Sequence, residues 1–142
     1  MAATPSSRLE HAARQALLAS AATAIDVGLS RSIASPPDQV ARALDGAWNG
    51  ADTLIVVSSD LSHYHTSDEA RLLDTETTHA ILERRSDLPD EQACGARAIN
   101  GLMQVARRRG LVVELLDQRN SGDTAGDRSR VVGYGSYALY EA

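Results

Sequence analysis

A chain of 142 residues with 43% apolar and 23% charged residues can bury one hydrophobic core and is short for two. Its 14 basic residues, all arginine, stand against 19 acidic ones, and a net charge of -5 argues against a nucleic-acid surface. No run approaches the roughly 18 apolar residues of a membrane span. The single cysteine excludes an internal disulfide framework. No signal-peptide pattern opens the chain, so the expectation is a cytoplasmic protein without membrane or nucleic-acid partners.

The Ala-rich stretch Leu9 to Ala24 favours helix by propensity, and the sparse apolar residues from Ile25 to Ser35 give only a weak strand pattern. Ser35-Pro36-Pro37-Asp38 then forms a helix start signal leading into Val40, Leu44, Ala47 and Trp48 at helical spacing, with Asn49-Gly50 as the stop. Leu54-Ile55-Val56-Val57 is a short continuous apolar run, which predicts a strand buried on both faces. A helix is expected from about Ser67 to Arg85, with Ala70, Leu73, Thr77, Ala80 and Ile81 on its inner face and His79 in solvent. Pro89-Asp90 opens the next helical stretch, whose Arg107-Arg108-Arg109-Gly110 end suits the negative helix terminus and a left-handed cap better than an RNA patch. Strands are expected at Leu111 to Leu116 and Val131 to Tyr140, the latter with close backbone approach at Gly133 and Gly135. Helices alternating with apolar strands predict one α/β domain: α/β/α layers on a mixed, mostly parallel sheet.

Three polar segments are candidates for chemistry. Ser58-Ser59-Asp60-Leu61-Ser62-His63-Tyr64-His65 directly follows the first predicted strand, where α/β sheets bind ligands. Spacing alone leaves a site and a structural loop equally weighted there, since Ser and Asp also cap helices. Cys94 lies at or near a predicted helix start, which favours thiolate, although a free Cys more often packs as a small apolar group. Asn120 to Arg130 is rich in Gly and Asp. It can cradle an anion with Arg128 or Arg130, or it can simply hydrogen-bond to itself. A Ser-His-Asp triad within residues 58–63 is disfavoured because groups so close in sequence rarely reach triad geometry.

Taken in order, Ser58-Ser59-Asp60-Leu61-Ser62-His63-Tyr64, Ala93-Cys94-Gly95, Asn120-Ser121-Gly122-Asp123 and Val131-Val132-Gly133-Tyr134 resemble the C-terminal half of the Memo family, AmmeMemoRadiSam system protein B. The likeness runs from about Pro36 to Glu141, leaving residues 1–35 as a divergent N-terminal segment of a single domain. The resemblance implies an incomplete version of a fold akin to the class III extradiol dioxygenases, which hold non-haem iron with two His and a carboxylate. It implies Cys94 as a metal ligand and His63 as the acid–base group, around Fe(II) or another transition metal; Asp60, to which no motif assigns a role, is placed to orient the loop or the imidazole. A neutral imidazole can accept and return a proton near pH 7, which suits His63 to that role.

The chain lacks the family's Gly-Pro-Ser-His-His segment. Glu10-His11 is the remnant of its Glu-His-Ser-x-Glu motif, with Arg14 where the second Glu belongs, and makes His11 the other metal ligand. The resemblance therefore implies a truncated or split member whose metal site is weak or absent in this chain alone. Its expected partners are a second copy, a complementing N-terminal half or other AmmeMemoRadiSam system proteins. A non-enzymatic interaction module and an active iron-dependent extradiol-type dioxygenase are the alternatives.

Overall fold

The computed structural model describes residues 35–50 and 53–142, so the expected elements before Ser35, and His11, lie outside the described residues. Helix α1 (Pro37–Ala47) begins where the sequence signals it, with Pro37 in the first turn, where its missing N–H has no intrahelical partner to lose. Val40, Ala41 and Leu44 are its buried face. They pack with Val105 of helix α3 (Ala96–Arg109), and Gly101 permits the approach, since a Cβ there would lie 2.7 Å from the Val40 side chain. Helix α3 ends at Gly110 with φ 66°, the expected left-handed cap. The arginines before it serve that end: Arg108 and Arg109 pair with Asp45, and Arg109 stacks on Trp48 at 4.4 Å.

Strand β1 (His63–His65) is followed by helix α2 (Ser67–Leu82), whose N-terminus is fixed by a capping box between Thr66 and Glu69. Ala70, Thr77, Ala80 and Ile81 are buried as the periodicity predicts, and His79 is exposed. Strand β2 (Val112–Asn120), the single turn α4 (Gly122–Ala125) and strand β3 (Val131–Tyr140) complete the chain. Leu61, Ile81, Leu88, Ile99 and Met103 form the main core, against which Val113, Tyr137 and Leu139 of the sheet pack.

Two expectations fail. The three-stranded sheet has the order β1-β3-β2 and is antiparallel at both pairings, not mostly parallel and not the centre of α/β/α layers built on parallel strands. The short connection between β2 and β3 reverses the chain directly, whereas parallel neighbours need a long crossover. The parallel expectation also rested on Leu54 to Val57 as the first strand. Among the described residues that segment joins no ladder. Ile55 and Val57 face the two cores, while Leu54 and Val56 are 51% and 72% exposed, so only one of its faces is covered. The edge strand comes instead from the polar segment itself, at His63–His65.

A third difference is smaller. The helix expected from Pro89-Asp90 starts only at Ala96, and residues 90–95 turn back toward the 58–62 loop. The Cys94 amide donates to the Asp60 carbonyl at 3.3 Å, which takes the segment out of helical register. Asn100 holds the approach to this turn with two hydrogen bonds to the Leu88 backbone, both 2.9 Å.

Candidate metal centre

The 58–63 segment is fixed before its side chains are considered. Leu61 N donates to Gly133 O at 2.9 Å and Gly133 N donates to Ser62 O at 2.8 Å, locking the segment onto β3. Ser62 N donates to Asp74 Oδ1 at 3.0 Å, which ties it to α2 as well. Asp74 is only 2% exposed and rests against the Gly133 backbone, where a Cβ would come within 1.9 Å of the carboxylate. This is the close approach that Gly133 signals in the sequence. Asp74 itself was not legible as a site element from charge alone, but its place on the Ala70–Thr77–Ile81 face of α2 marks it as buried.

The 93–95 turn meets this loop from the other side. Gly95 N donates to Ser59 Oγ at 2.9 Å, and Asp60 N donates to Cys94 Sγ at 3.3 Å. Gly95 has room for no side chain, because a Cβ would lie 2.9 Å from Ser59 Cβ. The turn thereby carries Sγ beside the loop, 3.6 Å from Ser59 Oγ and open to solvent. His63 Nε2 lies 3.4 Å from Asp60 Oδ2. One donor atom from each of Asp60, His63 and Cys94 falls within 4.8 Å of the others.

Carboxylate oxygen, imidazole nitrogen and thiolate sulfur form a mixed donor set of the kind that holds zinc, iron or cobalt, and their spacing fits one ion between them. Partial exposure leaves room for further ligands. The sequence reading named all three residues, and the structure brings them together across a separation of more than 30 residues. It also brings an Asp60 carboxylate oxygen into the same 4.8 Å cluster.

The 120–130 loop resolves differently. Asn120 donates through Nδ2 to Ser67 Oγ at 3.1 Å, and its Oδ1 accepts from Gly122 N at 3.0 Å. Asp123 accepts from Asn120 N at 3.0 Å and from Arg71 at 2.6 Å, and these two contacts hold its carboxyl below the usual aspartate range. Ser67 N donates to Arg128 O at 2.9 Å. The Asn-Ser-Gly-Asp motif at 120–123 is thus the clamp between the start of α2 and the β2–β3 connection, its own polar atoms engaged within the fold.

An α/β domain carrying an Asp, His and Cys donor cluster between an edge strand and a helix start is a candidate metalloprotein. Residues 25–138 match the family described as Memo-like protein, and the chain belongs to the Memo family. It is similar to MEMO1 family proteins of several archaea. That of Methanosarcina acetivorans is 35% identical over 96 residues, which cover 61% of this chain and 35% of the relative. Protein Ta0237 of Thermoplasma acidophilum is 38% identical over 90 residues, 58% of this chain and 34% of the relative. The relative in Nitrosopumilus maritimus is 38% identical over 98 residues, with 60% and 34% covered. The chain spans about a third of the length of these curated relatives. No solved structure matches it. No helix among the described residues is long and apolar enough to cross a membrane.

Proposed function

We propose that this Memo-family chain contributes the thiolate side of a transition-metal site related to that of the non-haem dioxygenases. Cys94 is the ligand, joined by His11 from the N-terminal segment, and Fe(II) is the favoured ion. Bound there, the ion would supply Lewis-acid and redox chemistry toward a small oxygen-bearing substrate. His63 is the proton carrier beside it, oriented by the Asp60 carboxylate at 3.4 Å. The observation that carries this reading is the convergence of Asp60, His63 and Cys94 within 4.8 Å.

Iron content after anaerobic Fe(II) loading and desalting tests the assignment. Weak, substoichiometric retention by the wild type, lost in Cys94→Ala and His11→Ala but kept in His63→Ala and Asp60→Ala, is the expected result. Loss in all of Asp60→Ala, His63→Ala and Cys94→Ala, with His11→Ala unaffected, would make the triad itself the ligand set and withdraw the separate proton-carrier role. No retention by the wild type contradicts a site that works in this chain alone.

A second reading is supported by a separate observation. Leu54 and Val56 are large apolar residues left in solvent along one face of the 54–57 segment. They favour an interaction module in which a second copy, a complementing N-terminal half or another AmmeMemoRadiSam system protein covers that face. Sedimentation of the chain at high concentration separates the two: a stable monomer weakens the homotypic form of this second reading. Location in the cytoplasm is part of the same proposal.

A further inference from the structure

Tyr64 lies between the two histidines of β1 with φ 65°, a left-handed conformation that is strained for a bulky residue. The other non-glycine residue at positive φ among those described, Arg84, follows the end of α2, where a left-handed residue is ordinary. The cause at Tyr64 is a bulge. His63 pairs with Val132 and His65 with Val131, so Tyr64 is the extra residue and is turned out of the ladder. Burial does not compensate the strain, since Tyr64 remains 71% exposed. Its ring lies 5.8 Å between centroids from the His63 imidazole and 5.0 Å from the Arg130 guanidinium.

Arg130 is distinctive in the same way. Arg71, Arg108, Arg109 and Arg119 each pair with a carboxylate, and Arg84 and Arg107 donate to Leu111 O and Ser86 Oγ. Among the described residues Arg130 has neither kind of partner, only the aromatic ring. A guanidinium held over a ring keeps its N–H edge free for a bidentate oxyanion. A single cation suits a monoanionic carboxylate better than a dianionic phosphate, which usually gathers several donors.

We infer that Tyr64 and Arg130 form a subsite for a small planar carboxylate beside the Asp60–His63–Cys94 cluster, Arg130 taking the carboxylate and the exposed Tyr64 ring stacking on the planar body. The inference rests on reading that cluster as the reactive centre. His63 and Tyr64 lie 5.8 Å apart between ring centroids and Arg130 lies 5.0 Å from the Tyr64 ring, so one aromatic ring separates the guanidinium from the histidine of the cluster. Strain retained on an exposed side chain next to a reactive group is what a ligand clamp requires.

Benzoate, its neutral isostere benzamide and inorganic phosphate are the probes, followed by ligand-observed NMR on the full chain, first without metal and then loaded with Co(II) against a Zn(II) control. The expected result is benzoate binding at least tenfold tighter than benzamide, weakened at least tenfold in Arg130→Gln, with cobalt uptake by that variant unchanged. Tyr64→Gly, which relieves the backbone, should weaken benzoate to a similar degree without lowering the thermal midpoint. Cobalt should also speed benzoate relaxation beyond the zinc control. Equal benzoate affinity in wild type and Arg130→Gln, or binding of phosphate in preference to benzoate, overturns the subsite. If Arg130-dependent benzoate binding is seen but no cobalt is taken up, the metal reading fails and the subsite stands. If cobalt binds but benzoate is indifferent to Arg130, the reverse holds.

Discussion

The 58–65 and 120–123 segments look alike as sequence, each short, polar and containing Ser and Asp, yet they have opposite uses. In the second, the lone pairs and N–H groups of Asn120, Ser121 and Asp123 are consumed by Ser67, Gly122, Val132 and Arg71. In the first, backbone contacts with Gly133 and Asp74 and the Ser59 hydroxyl carry most of the anchoring, which leaves the Asp60 and His63 side chains partly open to solvent and close to the exposed Cys94 thiol. A polar motif is therefore a candidate site when its anchoring is done by other atoms than its reactive ones.

Substitutions that break the anchors should have the largest effects. Gly133→Ala forces a Cβ into the Asp74 carboxylate, and a loss of about 3 kcal/mol in unfolding free energy is expected, measurable by urea denaturation. Asn120→Ala removes a buried clamp and strands the Gly122 amide, with an expected cost of about 2 kcal/mol and no change in metal affinity.

The acid side of the stability curve sharpens the same contrast. Hydrogen bonding from Asn120 N, followed by the Arg71 guanidinium, depresses the Asp123 carboxyl in the folded state. Its contribution is fully present above the unfolded aspartate value of about 3.9 and is lost as pH falls through the lower folded value. Asp123→Asn should accordingly flatten the decline in thermal midpoint as pH falls below about 4. Smallest of all in stability is Cys94→Ala. The thiol is exposed, so a change within about 0.5 kcal/mol is expected, although metal retention should collapse.

The sequence made the helices legible because their signals are local: Pro37 and Gly110 bound α1 and α3, and the Ala70–Thr77–Ile81 face defines α2. Strand direction was not legible, since it depends on which segments pair. Leu54 to Val57 has the composition of a buried strand but stays outside the sheet formed by the described residues, and His63–His65 lies in it despite its polarity. Of the site, Asp60, His63 and Cys94 could be named from residue type and family resemblance. The contact between Cys94 and the Asp60 backbone, and the support from Asp74, arise from tertiary packing that no short motif encodes.

Whether the Cys94 thiolate holds a metal beside His63 and Asp60 is read most directly by a Co(II) titration followed by absorption spectroscopy. The expected result is a sulfur-to-cobalt charge-transfer band that saturates at one cobalt per chain and disappears in Cys94→Ala. A folded wild type that gives no such band, or a Cys94→Ala chain that gives the same spectrum, would contradict it.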